Sequence, residues 1–390
     1  MLAAPSSSAA SFDIVLVGGG LANSLIALAV LERRPDLSLA LVENQATLGG
    51  NHTWSFHPSD VGQRARSFVE PLVEHRWPAY SVAFPGFERR LEHEYACFSS
   101  ERLDSVVRVA FSNARSSKLV LEKRAVGIGE HQVVLDDGTV LRAHLVIDGR
   151  GPERLGYTQG CRFQKFVGLE LTLASASPVR EPMLMDARVS QADGFRFVYV
   201  LPFDERRVLI EDTYFADTPE LDDAMLEERA LRYAGEQGFR IEGIVRRERG
   251  ILPLPLETPM PGARRGPLLS GYHGGWFHPT TGYSFPAAVR LAEVIAGQSP
   301  KAPLDGTFDA LLSDLGRQQR YFTLLNRLLY GAFAPEQRFN VLQRFYALPC
   351  DTIRRFYAMR TTTADRARIL CGRPPRGLSI KRALFQASTI

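Results

Sequence analysis

The chain has 390 residues, of which 45% are hydrophobic and 23% are charged, and it carries a formal net charge of +4. This composition is that of a globular protein and excludes the disordered, collagen-like and coiled-coil classes. The length predicts roughly two to three domains, with a core large enough to need no disulfides.

The cysteines and the charge distribution narrow the class further. The four cysteines show no Cys-x-x-Cys spacing, so we expect neither a zinc site nor a disulfide framework, and a reducing cytoplasm fits. Residues 341–390 hold ten Lys and Arg against two acids. Such a tail is typical of proteins that meet nucleic acid or an anionic membrane, although a solvated helical face explains it equally well. The first ten residues contain no Lys or Arg, which predicts no secretory signal peptide.

The N-terminal segment predicts a nucleotide-binding βαβ unit. A β-branched run over 12–17 indicates a buried strand. Three glycines then indicate a turn, and the Ala/Leu-rich stretch that follows indicates a helix to about Arg33. A second strand over 37–42 ends at an acid. In such a unit the turn and the helix N-terminus hold a pyrophosphate, and the acid binds ribose hydroxyls. The residues predicted to bind here are Gly18, Gly19, Gly20, Leu21, Ala22, Asn23 and Glu43.

Asn23 departs from the usual fingerprint because it stands at the position of the third glycine. We expect it either to loosen the packing of the helix on the strand or to offer the phosphate a side-chain amide.

A segment in the middle of the chain favours FAD over NAD. Residues 133–151 predict a hairpin with a turn at 136–138, followed by a buried strand that ends at Asp148 and Gly149. This pattern resembles the second motif of hydroxylase-type flavoproteins. No second glycine fingerprint is present for a nicotinamide nucleotide, so a reductant would have to bind transiently.

A later segment predicts the flavin end of the site. A strand over 267–272 is followed by a loop with Thr281 and Gly282, and by a helix from about 285 to 296 capped by Ser284. In flavoproteins of this type the helix directs its positive end at the isoalloxazine. Tyr272 replaces the acid that usually contacts the ribitol, so that contact is not expected here.

Seven motifs follow one another along nearly the whole chain. They are residues 19–23 (GGLAN), 49–57 (GGNHTWSFH), 185–187 (MDA), 195–199 (FRFVY), 209–213 (LIEDT), 277–284 (FHPTTGYS) and 343–346 (QRFY). In this order they resemble the bacterial lycopene β-cyclases, FAD-containing enzymes of carotenoid biosynthesis. The resemblance implies that the linear ψ ends of lycopene become β-ionone rings, giving γ-carotene and then β-carotene. We hypothesise that the FAD acts in its reduced form, kept reduced by NAD(P)H, and stabilises a cation or relays a proton.

Cyclisation of a polyene end has no net redox change and requires an acid, a dry apolar cavity, groups that tolerate a cation, and a base, but no metal. Strands predicted over 195–202 and 208–215, joined by a turn at 204–205, carry the best acid, Glu211. Apolar surroundings would raise its pKa and keep it protonated. Asp212, the second catalytic candidate, lies on the opposite face and is expected to fix backbone or to pair with Arg196 or Arg206.

Aromatic and histidine side chains in the motifs are candidates for contact with the substrate, since aromatic faces stabilise cations. Each is individually more often a core residue, and the histidines at 52, 57 and 278 are equally plausible as bases, flavin neighbours or satisfied loop residues. The predicted substrate-binding residues are Trp54, Phe197, Tyr199, Trp276, Phe277 and His278.

The predicted fold is an α/β flavoprotein of the hydroxylase and geranylgeranyl-reductase type, with a Rossmann-like FAD-binding domain, a β-sheet substrate domain and a C-terminal helical region. We assign 10–80, 130–160 and 262–310 to the first, 81–129 and 161–261 to the second, and 311–390 to the third. Because the substrate must come from a bilayer, the Arg–aromatic stretches at 344–346 and 354–357 predict docking on anionic lipid. We expect a cytoplasmic protein on the membrane surface that binds no nucleic acid. The oligomeric state is not predicted.

Two other functions stay open on the residues alone. An FAD-dependent monooxygenase or an isoprenoid double-bond reductase would use the same fold, and a non-catalytic FAD- or lipid-binding protein would make Glu211 incidental.

Overall fold

A computed structural model describes residues 10–151, 160–191, 194–258, 266–372 and 374–379. In chain order the strands are β1 (Ala10–Val17), β2 (Leu39–Val42), β3 (Thr53–Phe56), β4 (His75–Trp77), β5 (Tyr80–Phe84), β6 (Phe87–Leu91), β7 (Tyr95–Ser99), β8 (Lys118–Val120), β9 (Ala125–Ile128), β10 (Gln132–Leu135), β11 (Val140–Asp148), β12 (Cys161–Leu173), β13 (Met183–Asp186), β14 (Phe195–Pro202), β15 (Arg207–Ala216), β16 (Ile241–Pro255) and β17 (Leu268–Leu269). The helices are α1 (Leu21–Arg33), α2 (Arg66–Val69), α3 (Ser100–Asn113), α4 (Asp223–Glu236), α5 (Phe285–Gly297), α6 (Gly306–Ala332), α7 (Phe339–Tyr346), α8 (Cys350–Tyr357) and α9 (Thr363–Leu370).

The first sheet has the order β8-β2-β1-β11-β10-β9, with β17 beside β11. Strands β1, β2, β8, β11 and β17 are parallel, and helices α1, α3 and α5 pack together on this sheet. The predicted βαβ unit is therefore confirmed. The strand predicted over 267–272 is shorter than expected because the chain turns at Gly271, which has a φ of +57°, so that only two residues pair as β17.

The second sheet has the order β16-β12-β15-β14-β13-β5-β6. Helix α4 covers one face and buries the alternate side chains of the β14–β15 hairpin, among them Val198 and Ile210. Because strand side chains alternate, Glu211 faces away from α4. The opposite face of this hairpin therefore becomes the wall of a cavity.

One predicted domain boundary is wrong. Strands β8 and β9 pair within the first sheet, and α3 packs on α1, so residues 100–129 belong to the nucleotide-binding layer and not to the substrate domain.

A three-stranded sheet of order β3-β7-β4 brings the 53–56 segment beside Tyr95–Ser99.

The C-terminal region is helical, as predicted, but its aromatic residues do not form an outer surface. Phe345, Tyr346 and Phe356 are each less than 9% exposed, and they line the cavity together with Tyr357. The amphipathic spacing of these short helices turns the rings inward, while the arginines at 344, 354 and 355 are partly buried and Arg344 lines the cavity. Across the described ranges, no helix is both long and apolar enough to cross a bilayer.

Candidate active site

A cavity of about 1,620 Å³ joins the glycine turn of the first sheet to the β14–β15 hairpin and the C-terminal helices. Pockets for one small ligand usually measure about 300–1,000 Å³. The cavity therefore has room for a nucleotide and for part of a second ligand.

The nucleotide end is built by Gly18, Gly19 and Gly20. Gly18 has a φ of +93°, and a Cβ there would lie 3.0 Å from the carbonyl of Gly149, so only glycine fits. The Gly19 N–H donates to Oε2 of Glu43 at 2.7 Å, and Glu43 lines the cavity. A Cβ at Gly20 would meet none of the described residues within 4 Å, and helix α1 starts with no acid and no side-chain cap. Its first N–H groups are thus available to an anion.

These features fit the pyrophosphate and ribose of FAD. Leu21, Ala22, Gly149, Thr281 and Gly282, all predicted to bind the cofactor, line the same cavity. Helix α5 begins after Ser284 as predicted, although the Ser284 side chain makes no capping hydrogen bond. Tyr272 also lines the cavity, and its hydroxyl donates to the Gly282 carbonyl oxygen.

Of the predicted cofactor residues, Gly19, Asn23 and Asp148 do not line the cavity, and the side chains of Asn23 and Asp148 bind other parts of the protein. The Asn23 amide donates to the carbonyl oxygens of Val17 and Gly18, both at 2.9 Å, and its oxygen accepts from Ser270 Oγ at 2.7 Å. Asn23 therefore tightens the junction of helix and strand and offers no amide to a phosphate. Asp148 forms a bidentate ion pair with Arg150, and it is Arg150 that lines the cavity.

Glu211 lies on the cavity wall, where its Oε1 accepts from Thr213 Oγ1 at 2.6 Å. Burial raises the pKa of the Glu211 carboxyl to about 8, and the neighbouring Glu248 carboxyl adds to the rise. The two glutamates stand in register on either side of Gly168, on strands β15, β12 and β16. A Cβ at Gly168 would lie 2.9 Å from Cγ of Glu248, so the glycine makes room for this side chain.

Glu248 was not predicted, and its surroundings explain which carboxyl of the pair carries the proton. Arg246 donates to Glu248 at 3.0 Å, to Glu170 at 2.9 Å and to Thr53 Oγ1 at 2.6 Å. Burial raises the pKa of Glu248 as well, but Arg246 and Thr53 oppose this rise, whereas Glu211 has no cationic partner among the described residues. The salt bridge therefore favours the charge on Glu248 and the proton on Glu211. The only sequence signal was the 49–57 motif, which includes Thr53 but gives no hint of a partner so far along the chain.

Asp212 is not at the cavity, which corrects its assignment as a catalytic residue. It is fully buried on the α4 side of the sheet, where Arg196 donates to its two oxygens at 2.9 and 2.7 Å. The alternation of side chains along β15 imposes this, since Glu211 and Asp212 are adjacent. Of the two arginines considered, Arg196 is the partner.

The substrate-contact predictions divide into two groups. Trp54, Phe197 and Tyr199 line the cavity, and the Tyr199 hydroxyl lies 2.9 Å from that of Tyr95. Further rings on the wall were not predicted as contacts. One is Tyr283, whose hydroxyl donates to Asp60 at 3.0 Å. Two others come from the C-terminal helices, where the hydroxyls of Tyr346 and Tyr357 lie 2.6 Å apart. The apolar wall is thus assembled from segments far apart in sequence.

Trp276, Phe277 and His278 are incorrect as cavity contacts because they lie behind the wall. Trp276 donates from Nε1 to the Leu269 carbonyl at 2.9 Å, and Phe277 stacks on Tyr272 with ring centres 4.5 Å apart. Both His278 nitrogens are bonded, Nδ1 to the Thr280 N–H and Nε2 to the Phe356 carbonyl, and burial lowers its pKa to about 3. His278 is a satisfied core histidine.

The sequence of the chain is similar to known proteins over most of its length. The chain matches the family described as lycopene cyclase protein over residues 13–383. The chain belongs to the lycopene cyclase family. It is 38% identical over 368 residues to a lycopene beta-cyclase of Pantoea ananas (93% of this chain, 95% of the relative). It is 41% identical over 373 residues to one of Pseudescherichia vulneris (93% and 94%).

Solved structures share the fold at low identity. A probable FAD-dependent monooxygenase of Pseudomonas aeruginosa, PqsL, superposes with a TM-score of 0.61 and 16% identity, covering 84% of this chain and 98% of its own. A geranylgeranyl bacteriochlorophyll reductase-like protein of Thermoplasma acidophilum gives 0.60 and 13%, covering 98% and 96%. The predicted fold class is confirmed.

Replacing Glu248 with Gln should lower the pKa of Glu211, because the like charge disappears while Arg246 stays. A protonated Glu211 is present below its pKa and is lost as the pH rises through it, so the fall in activity at high pH should move down by roughly one unit. The measurement is the initial rate of the family's cyclisation reaction between about pH 6 and 9. Glu242→Gln, an exposed glutamate on the same strand, is the control and should leave the profile unchanged. An unshifted profile for Glu248→Gln would refute this coupling.

Replacing Asp212 with Ala should destabilise the fold by about 3–5 kcal/mol, since the buried Arg196 guanidinium loses its carboxylate. Urea unfolding followed by fluorescence gives the free energy of unfolding. Glu205→Ala removes an ion pair with Arg180 whose partners are 70% and 75% exposed, and it should cost less than about 1 kcal/mol. Equal losses for the two variants would contradict a structural role for Asp212.

Proposed function

We propose that this chain converts the ψ ends of lycopene into β rings, as the names of its relatives describe for them. The observation that carries the proposal is a carboxyl that keeps its proton, Glu211, on the wall of a cavity rich in aromatic rings and continuous with a nucleotide site. Glu211 gives its proton to the terminal alkene carbon of a bound ψ end. The neighbouring double bond then closes the ring and leaves a tertiary cation.

The cavity wall supplies what the cation needs. Phe197, Phe215 and Tyr199 line the cavity on the β14–β15 hairpin that also carries Glu211, and aromatic rings attract positive charge to their faces. The apolar wall keeps water away, which strengthens each electrostatic interaction at the cation. When bound, FAD in a reduced, anionic state maintained by NAD(P)H would add negative charge near the cation. The glycine turn, Glu43 and the first turn of α1 are the residues that would hold it.

Replacing Glu211 with Gln should remove cyclisation while the protein keeps its flavin, because the amide retains size and polarity but has no proton to give. We expect a loss of about 100- to 10,000-fold in rate. Pigments of lycopene-accumulating bacteria that express each variant are separated by chromatography and identified by their absorption spectra. Glu205→Gln, in the turn between the same two strands, is the control and should form β-carotene.

Three results would count against the proposal. Unchanged lycopene with a soluble, FAD-loaded wild-type protein would remove the cyclase function. Consumption of one NAD(P)H per product would favour the reductase or monooxygenase alternative, since cyclisation is redox-neutral. Full activity of Glu211→Gln would show that another group is the acid.

We also propose that the rim of the cavity rests on anionic lipid. Leu328, Leu370 and Leu378 line the cavity, yet they are 39%, 46% and 43% exposed, and Leu324 nearby in sequence is 44% exposed. Leu370 and Leu378 lie within the arginine-rich segment 341–390, while Leu324 and Leu328 lie on helix α6. Exposed leucines next to arginines suit the boundary between acyl chains and anionic headgroups. A lipid-soluble polyene would enter the cavity there.

Replacing both Leu328 and Leu370 with Asp should weaken binding to vesicles made of phosphatidylcholine and phosphatidylglycerol. Each change adds negative charge and removes apolar area at the rim, and we expect the fraction that co-sediments to fall at least about threefold. Val109→Asp, a 57% exposed valine on α3, is the matched control. Unaltered binding of the double variant would place the lipid contact elsewhere.

A further inference from the structure

The ring-closed cation must lose a proton, and the carbon that loses it decides the product. Three carbons next to the charged centre carry hydrogens. They are the ring carbon that bears the polyene chain, called the ring junction here, the ring methylene and the methyl group. Only loss from the ring junction gives the β ring, while the other two give double-bond isomers. A base at a fixed position is therefore needed for specificity as well as for rate.

Few groups on the described cavity wall can accept this proton. The carboxylates and histidines that line it there are Glu43, Glu211, His52 and His57. Glu43 accepts from the N–H groups of Gly19 and Gln45 at the nucleotide end. His52 lies beside Gly50 at the same end, and partial desolvation together with the positive charge of Arg246 lowers its pKa. His57 differs from these because it is 4% exposed and lies among tyrosines.

The tautomer of His57 follows from one hydrogen bond. Its Nδ1 lies 3.3 Å from the carbonyl oxygen of Glu94, and since a carbonyl can only accept, Nδ1 carries the proton. Nε2 is then the unprotonated nitrogen. Burial lowers the pKa of His57 to about 4, so the ring is neutral and ready to accept a proton at neutral pH. A C–H bond beside a tertiary cation is far more acidic than imidazolium, so such a weak base is sufficient.

His57 is connected to Glu211 through two tyrosines of the cavity wall. The His57 ring centre lies 5.0 Å from that of Tyr95 and 6.1 Å from that of Tyr357. Tyr95 shares a hydrogen bond with Tyr199, and Tyr199 is the cross-strand neighbour of Glu211. The acid and the histidine thus flank one pair of tyrosines on the cavity wall.

We propose that Nε2 of His57 is the base that removes the ring-junction proton, a role that rests on the proposed cyclase function. The electron pair of the broken C–H bond becomes the ring double bond, and the proton goes to Nε2. The first step leaves Glu211 as a carboxylate and the second leaves His57 as an imidazolium, so the net charge of the site does not change. Proton exchange with solvent restores both groups, so no oxidant or reductant is consumed.

The test compares His57→Asn and His57→Gln with wild type as purified, FAD-loaded proteins acting on lycopene under reducing conditions. The Asn amide can still donate to the Glu94 carbonyl, while the Gln amide reaches the Nε2 position, and neither is a base. We expect the rate to fall at least about 100-fold. We also expect the residual cyclic product to contain ring isomers with the double bond outside the ring junction. His75→Asn, a histidine on β4 that does not line the cavity, is the control and should form only β ends.

Both readouts are required. A rate within twofold of wild type, or a slower reaction that still gives only β ends, would overturn the proposal and leave His57 a packing role. Absence of cyclic product from wild type itself would instead remove the proposed function. If one of the two variants loses its flavin, the result of the other tests the proposal. His57→Phe preserves the aromatic packing and is a third variant with the same two expected results.

Discussion

Glu211 keeps its proton at neutral pH because it is buried and because three adjacent strands place a second glutamate beside it across a glycine. Gly168 has no side chain, so Glu248 reaches across β12 towards Glu211, while Arg246 retains the charge on Glu248. Arg246 also binds Thr53, which continues from the loop with Gly49 and Gly50 at the nucleotide end. One partly buried arginine therefore connects Glu248, the neighbour of the acid, to the segment that follows the nucleotide end of the cavity.

Local pattern was sufficient for much of the fold. The β-branched run, the glycine turn and the acid at 43 located the βαβ unit, and alternation along the β14–β15 hairpin separated Glu211 from Asp212 onto opposite faces. The helix at 285–297 was located by its proline and by its apolar spacing. Each of these depends on neighbours in sequence, which is why the chain alone predicts them.

What sequence reasoning did not find depends on contacts between distant segments. In the sequence, Glu248 is one charged residue of an alternating strand. The register of β16 and β15 on β12 is what places it beside Glu211. Trp276, Phe277 and His278 lie in a motif next to the cofactor loop, yet the tight turn after β17 rotates them behind Tyr272. The Arg–aromatic stretches near the C-terminus have the composition of a surface, but α7 packs on β5 of the second sheet and the rings of α7 and α8 are buried.

The tyrosine hydroxyl groups of the cavity have a consequence for the lifetime of the enzyme. A carbocation alkylates any nucleophilic oxygen it meets, and a phenolate would be alkylated fastest. The hydroxyls of Tyr95 and Tyr199 bind each other, as do those of Tyr346 and Tyr357, and that of Tyr283 binds Asp60. Burial raises the pKa of Tyr357 to about 12 and that of Tyr199 further, so these groups stay neutral phenols. The wall thus offers the cation aromatic faces while its oxygens are engaged, which protects the enzyme from inactivation by its own intermediate.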